Sequence, residues 1–128
     1  MSRPFWRLAV ASEFSAAHAL RNYQGKCEHI HGHNFTVEVV IEGDRLTQDT
    51  EFLMDFSHIK KMLKETLATL DHKDLNTTAP FDRINPSSEN MACHIFRQLK
   101  APVATFGVRV YSVTVGEKPG QCATYYEG

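Results

Sequence analysis

Residues 27–44 read C-E-H-I-H-G-H-N-F-T-V-E-V-V-I-E-G-D. Phe35, Val37, Val39 and Ile41 alternate with Thr36, Glu38 and Val40, a period of two that predicts a strand from about His33 to the Gly43-Asp44 turn. Just ahead of it, Cys27 to His33 gathers a thiol, a carboxylate and three imidazoles. His31 and His33 are two apart, so on an extended backbone their side chains point to the same side. Gly32 between them leaves the opposite side uncrowded. Two imidazoles on one strand face make up most of a three-histidine metal site, which keeps a fourth position open for water or substrate. The alternative is a pair of surface histidines flanking a turn glycine.

Working outward, Leu8, Val10, Ser12, Phe14, Ala16 and His18 share one parity in a stretch free of Gly and Pro after Pro4. This predicts a first strand with His18 at or just beyond its end, followed by a polar loop over residues 21–26. Downstream, Asp55 stands where an N-cap belongs, and Ile59, Met62, Leu63, Leu67 and Leu70 fall at helical spacing. After a loop containing Pro80 and Pro86, Ser87 or Ser88 caps a second helix with Met91, Ala92, Ile95, Phe96 and Leu99 inward, stopped by Pro102. A third long strand spans roughly residues 106–117, the Pro119-Gly120 turn reverses the chain, and residues 122–126 return. The order ββααββ predicts an α+β fold: a four-stranded antiparallel sheet with two helices on one face. The other sheet face needs cover, and oligomerisation would supply it.

Composition limits the functions on offer. A chain of 128 residues is one domain, spanning 1–128, with no internal repeat or linker. Its formal net charge of −1 gives no basic footprint for a nucleic-acid backbone, so neither DNA nor RNA is an expected partner. No apolar run approaches the ~20 residues of a membrane span, and no signal peptide opens the chain. The cytoplasm is the expected compartment. Three cysteines (Cys27, Cys93 and Cys122) cannot all pair within one chain, which points to free thiols.

Four groups carry the candidate chemistry. His18 ends one strand and His31 and His33 begin the next, so a hairpin brings three neutral imidazoles together around a divalent ion, zinc before other transition metals. His29 competes as a ligand but precedes the strand, and His58 and His94 fall on helices as packing or solvent-facing residues. Cys27, in a polar loop beside these imidazoles, is a proton acceptor, a nucleophile or a fourth ligand closing the site; Cys93 and Cys122 read as small buried residues. Asp71 beside His72 forms either an acid–base relay or a plain helix end. Glu117, at a strand end, is solvated unless a ligand offers an N–H and amino pair, as a pterin or guanine edge does.

Taken in order, F-S-A-A-H ending at His18, C-x3-H-G-H from Cys27 to His33, M-D-F around Asp55, L-D-H-K-D-L-N with Asp71 and His72, N-P-S-S-E-N, and the strand ending at Glu117 resemble the 6-pyruvoyltetrahydropterin and 6-carboxytetrahydropterin synthase family over essentially the whole chain. The resemblance implies the tunnelling fold (T-fold), with trimeric barrels stacked into a homohexamer and active sites shared between subunits. It implies one zinc per subunit on His18, His31 and His33, a relay of Cys27, Asp71 and His72, and a pterin ring anchored by Glu117 with Ser87 or Ser88 assisting. The implied substrate is 7,8-dihydroneopterin triphosphate. The three residues between Cys27 and His31 are similar to the branch making 6-carboxytetrahydropterin, acetaldehyde and triphosphate for queuosine and other 7-deazaguanines; a longer insertion marks the pyruvoyl-forming branch. Glu28 also completes E-x2-H-G-H, which resembles a group using glutamate to make 6-hydroxymethyl-7,8-dihydropterin for folate. Lys118 departs from the threonine that more often follows the anchoring glutamate. A non-catalytic metal- or pterin-binding protein on the same fold is the reading from another class.

Overall fold

A computed structural model of the chain describes residues 4–25 and 28–128, so Cys27 lies outside the described residues. The elements run β1 (Trp6–His18), β2 (His31–Gly43), α1 (Phe56–Ala68), β3 (Lys73–Asp74), α2 (Ser88–Ala104), β4 (Arg109–Lys118) and β5 (Gln121–Tyr126). β1 and β2 pair antiparallel without interruption from Trp6 opposite Gly43 to His18 opposite His31. This register sends Val10, Phe14, Ala16 and His18 of β1 to the same face as Phe35, Val37, Val39 and Ile41 of β2, and all of them are buried. β4 joins with Val113 opposite Val39 and Val115 opposite Val37, adding its own valines to that face.

The helices cover this face alone. Asp55 caps α1 by accepting a 2.8 Å hydrogen bond from the Ser57 amide, and Ile59, Leu63 and Leu67 turn inward. Ser87 caps α2 by accepting from the Asn90 amide at 3.2 Å. Met91, Ala92, Ile95, Phe96, Leu99 and Val103 of α2 are buried, and the helix packs on β4 and β5 while α1 packs on β1. Each large apolar side chain so removed from water contributes about 1.5–3 kcal/mol. The opposite face carries Ala9, Ala11, Glu13, Thr36 and Glu38, all exposed.

Several details depart from the sequence reading. The sheet is five-stranded and mixed, in the order β3-β1-β2-β4-β5, because Lys73 and Asp74 pair parallel with Ala16 and Ala17. Two residues are too few to show a hydrophobic period. β2 begins at His31 rather than His33, and β4 at Arg109 rather than Phe106, since residues after α2 first close a turn at Gly107, whose φ is 75°. Pro102 does not stop α2, which runs to Ala104: in the last turn a missing N–H costs one hydrogen bond and no continuing helix. Cys122 is exposed rather than buried, because β5 is an edge strand, and Cys93 is half-buried; both are free thiols.

Candidate functional site

The antiparallel register that builds the core also builds the site. His18 and His31 are directly paired, and His33 lies two residues along on the same face. Their ring centroids are 4.6, 4.7 and 5.5 Å apart. Phe35, fully buried, forms the floor, with its ring 5.2 Å from His18 and 5.6 Å from His33. From β4, Glu117 shares the parity of Val113 and Val115 and so arrives on the same face. Its Oε1 lies 2.7 Å from His33 Nε2 and 3.6 Å from both His18 Nε2 and His31 Nε2.

Second contacts decide which ring nitrogens point inward. His18 Nδ1 is 2.7 Å from the Pro86 carbonyl, and His31 Nδ1 is 2.7 Å from the His29 carbonyl. A carbonyl only accepts, so each Nδ1 carries the proton and each Nε2 presents a lone pair to the centre. Buried polar atoms are normally satisfied. Nε2 of His18 and Nε2 of His33 are buried yet have no hydrogen-bond partner, since the close approach of Glu117 to His33 lacks hydrogen-bond geometry. Burial lowers the His33 pKa below the usual imidazole range; Glu117 opposes this, while His31 and His18 add to it. This favours the neutral ring, the form a metal ligand needs. Three nitrogens and one carboxylate oxygen, all within 4.8 Å of one another, fit a divalent cation and account for the orphaned lone pairs.

Asp71 and His72 stand elsewhere. α1 ends at Ala68, and the chain turns so that the Ser15 amide donates to Asp71 Oδ1 at 2.9 Å while the His72 amide donates to the Ser15 carbonyl at 2.6 Å. His72 adopts φ 58°, a left-handed conformation uncommon for a residue with a side chain and often found at functional sites. Its Nδ1 is 3.0 Å from Asp71 Oδ2, and its side chain is 83% exposed. The hydrogen bond from the Ser15 amide is the main cause holding the Asp71 carboxyl below the usual carboxylate range. A cleft of about 520 Å³ contains Ser15, His33, His72 and Lys73. Another, about 220 Å³, contains His18, Ser87, Ser88, Glu117 and Cys122. Of the imidazole cluster, His33 alone lines the cleft of His72.

Other candidates sort out by contact. Ser87 spends its hydroxyl on the α2 cap, whereas Ser88 has no such duty. His29 is exposed and supplies only its carbonyl. His58 packs on Phe106 and His94 on Phe81, as expected for helix-borne packing residues. Glu28 is exposed, its amide donating to the Gly25 carbonyl at 3.2 Å. The presence of Glu117 among the imidazoles was not read from the sequence, though its parity with Val113 and Val115 carried the signal.

A family model described as 6-pyruvoyl tetrahydropterin synthase matches residues 7–128. The chain belongs to that family. A 6-carboxy-5,6,7,8-tetrahydropterin synthase of Synechocystis is 35% identical over 126 residues, covering 94% of this chain and 93% of its own. A dihydroneopterin monophosphate aldolase of Pyrococcus furiosus is 34% identical over 94 residues, covering 73% of this chain and 75% of its own. Among solved structures, the Caenorhabditis elegans 6-pyruvoyl tetrahydropterin synthase superposes with a TM-score of 0.86 at 28% identity, covering 100% of this chain and 99% of that one. The fold expectation thus holds as α+β with the architecture of this family. Among the described residues no helix is long and apolar enough to cross a membrane.

Proposed function

We propose that the chain is a zinc-dependent 6-carboxy-5,6,7,8-tetrahydropterin synthase. It takes 7,8-dihydroneopterin triphosphate and water to 6-carboxytetrahydropterin, acetaldehyde and triphosphate. The observation that carries this reading is the convergence of three imidazole Nε2 atoms in a family member, two of them buried without a hydrogen-bond partner. His18, His31 and His33 would hold one zinc per subunit. Bound there, zinc supplies Lewis acidity toward the substrate's side-chain hydroxyls.

The chain's own residues do the rest. Leaving the fourth position to substrate requires that Glu117 serve the pterin ring, its carboxylate accepting from the N–H and amino pair. Ser88, free of the capping duty, is the better placed of the two serines to assist. Asp71 orients His72, so that His72 with Cys27 shuttles protons between ring and side chain. In this reading the relay is completed by a neighbouring subunit, which is supported by His18 and Glu117 lining a different cleft from His72. An edge of β1 unpaired before Ala16, an edge at β5 and an exposed second sheet face support assembly into a homohexamer built of two trimers. With free thiols at Cys93 and Cys122, the cytoplasm remains the proposed compartment.

The second reading is a lyase forming 6-hydroxymethyl-7,8-dihydropterin, favoured by Glu28 and by the likeness to a relative named as an aldolase. Mass spectrometry after incubating zinc-loaded protein with 7,8-dihydroneopterin triphosphate separates the two. A 6-carboxytetrahydropterin mass with acetaldehyde, abolished by Cys27→Ala, is the expected result. A 6-hydroxymethyl-7,8-dihydropterin mass abolished by Glu28→Ala would transfer the chain to the second reading. Neither product would sink both.

A further inference from the structure

We propose that Asn85 is a positioning residue for His18, and through it sets how tightly the imidazole cluster holds its metal; the metal part rests on the zinc site proposed above. His18 is 1% exposed, the most buried polar residue of the cluster, and the Pro86 carbonyl is the acceptor that keeps its proton on Nδ1. That carbonyl belongs to a loop, so its position depends on what ties the loop to the end of β1. Asn85 is the tie nearest to it. Its side-chain Oδ1 accepts from the Arg21 amide at 2.7 Å, and its Nδ2 donates to the Arg21 carbonyl at 2.9 Å. Behind it, Asn90 Nδ2 donates to the Asn85 carbonyl at 2.9 Å, anchoring the same residue to the first turn of α2.

Asn76 makes the same paired contact with Ala19, at 2.8 and 2.9 Å. The two asparagines thus grip Ala19 and Arg21, one and three residues after His18, and the Arg21 guanidinium closes the loop by donating to the Ile84, Phe81 and Asn76 carbonyls at 3.0, 2.7 and 3.3 Å. Asparagine is specified at position 85 by its chemistry. One side chain must donate and accept at once over a short reach, which aspartate and alanine cannot do and glutamine does only with an extra methylene. Without the grip, the Pro86 carbonyl is no longer fixed opposite Nδ1, and the proton is free to occupy Nε2, the atom that a metal needs bare.

The test compares full-length wild type, Asn85→Ala and Leu67→Ala, the last a core truncation that weakens the fold without touching this network. Zinc affinity is read by chelator competition, and the His18 tautomer by long-range proton–nitrogen NMR on the metal-free proteins. Asn85→Ala is expected to lose about 10–100-fold in zinc affinity and to show mixed His18 tautomers. Leu67→Ala should stay within about twofold of wild type, as distant sites do, with a single tautomer. Wild-type affinity and tautomer in Asn85→Ala, or an equal loss in Leu67→Ala, would overturn the proposal. If wild type binds no zinc, the metal reading fails by itself, while the tautomer comparison still decides whether Asn85 holds His18.

Discussion

His18, His31 and His33 hang from two strands of thirteen residues each, whereas Asp71 and His72 hang from a turn and a two-residue strand. The first group is clamped by the sheet register and floored by Phe35, with His18 buried and His31 and His33 half-buried. In the second, His72 is exposed and Asp71 half-buried, held by two hydrogen bonds to the Ser15 backbone and one left-handed residue. The difference suits the two tasks proposed for them. A metal site must hold its geometry before the ion arrives, since ligands that need ordering weaken binding. A proton carrier must reach its partner, and an exposed imidazole at the sheet edge is able to serve a site built by another chain.

Removing a strand-borne ligand is the harshest way to break that contrast. His33→Ala should abolish zinc retention at stoichiometric metal and turnover with it, while leaving the sheet intact, as metal analysis and circular dichroism would record. His72→Ala should do the reverse: kcat falls by about 10²–10⁴, the usual contribution of a general acid or base, at unchanged zinc content. Loss of zinc from His72→Ala would erase the distinction between the two regions.

The gentlest probe sharpens the second region alone. Asp71 has its pKa lowered in the folded state by the Ser15 hydrogen bond, so its contribution to stability is present above the unfolded carboxylate pKa and is lost as pH falls through the folded value. Asp71→Asn should therefore flatten the acid limb of stability, measured as urea midpoints between about pH 5 and pH 2, where such carboxylates titrate. Because the carboxylate is 40% exposed, solvent screening keeps the effect small. A variant as acid-sensitive as wild type would mean that the Ser15 contact does not govern Asp71.

Much of this was legible beforehand, and the reasons are local. Period-two alternation over residues 33–41 and the even-parity run from Leu8 to His18 are strong signals, because one face of each strand is buried. Given two such strands paired as a hairpin, His18 meets His31 and His33, as the register bears out. Asp55 and Ser87 announced their helices because a capping side chain acts on the amides next to it. β3 was illegible, being two residues long and paired with a strand more than fifty positions earlier. Pro102 misled because proline's cost depends on how many turns remain, which the residue itself does not state.

The sequence by itself determined the order of the long elements, the face on which the imidazoles stand and the inventory of acids, bases and thiols, since each follows from spacing along one backbone. Only the tertiary structure decided that Glu117 joins the imidazoles, that the Pro86 and His29 carbonyls choose the ring tautomers, and that His72 shares a cleft with His33 while His18 and Glu117 line another. Those facts depend on register and on loops meeting across the fold, where a hydrogen bond needs an ångström's placement that no spacing along the chain specifies.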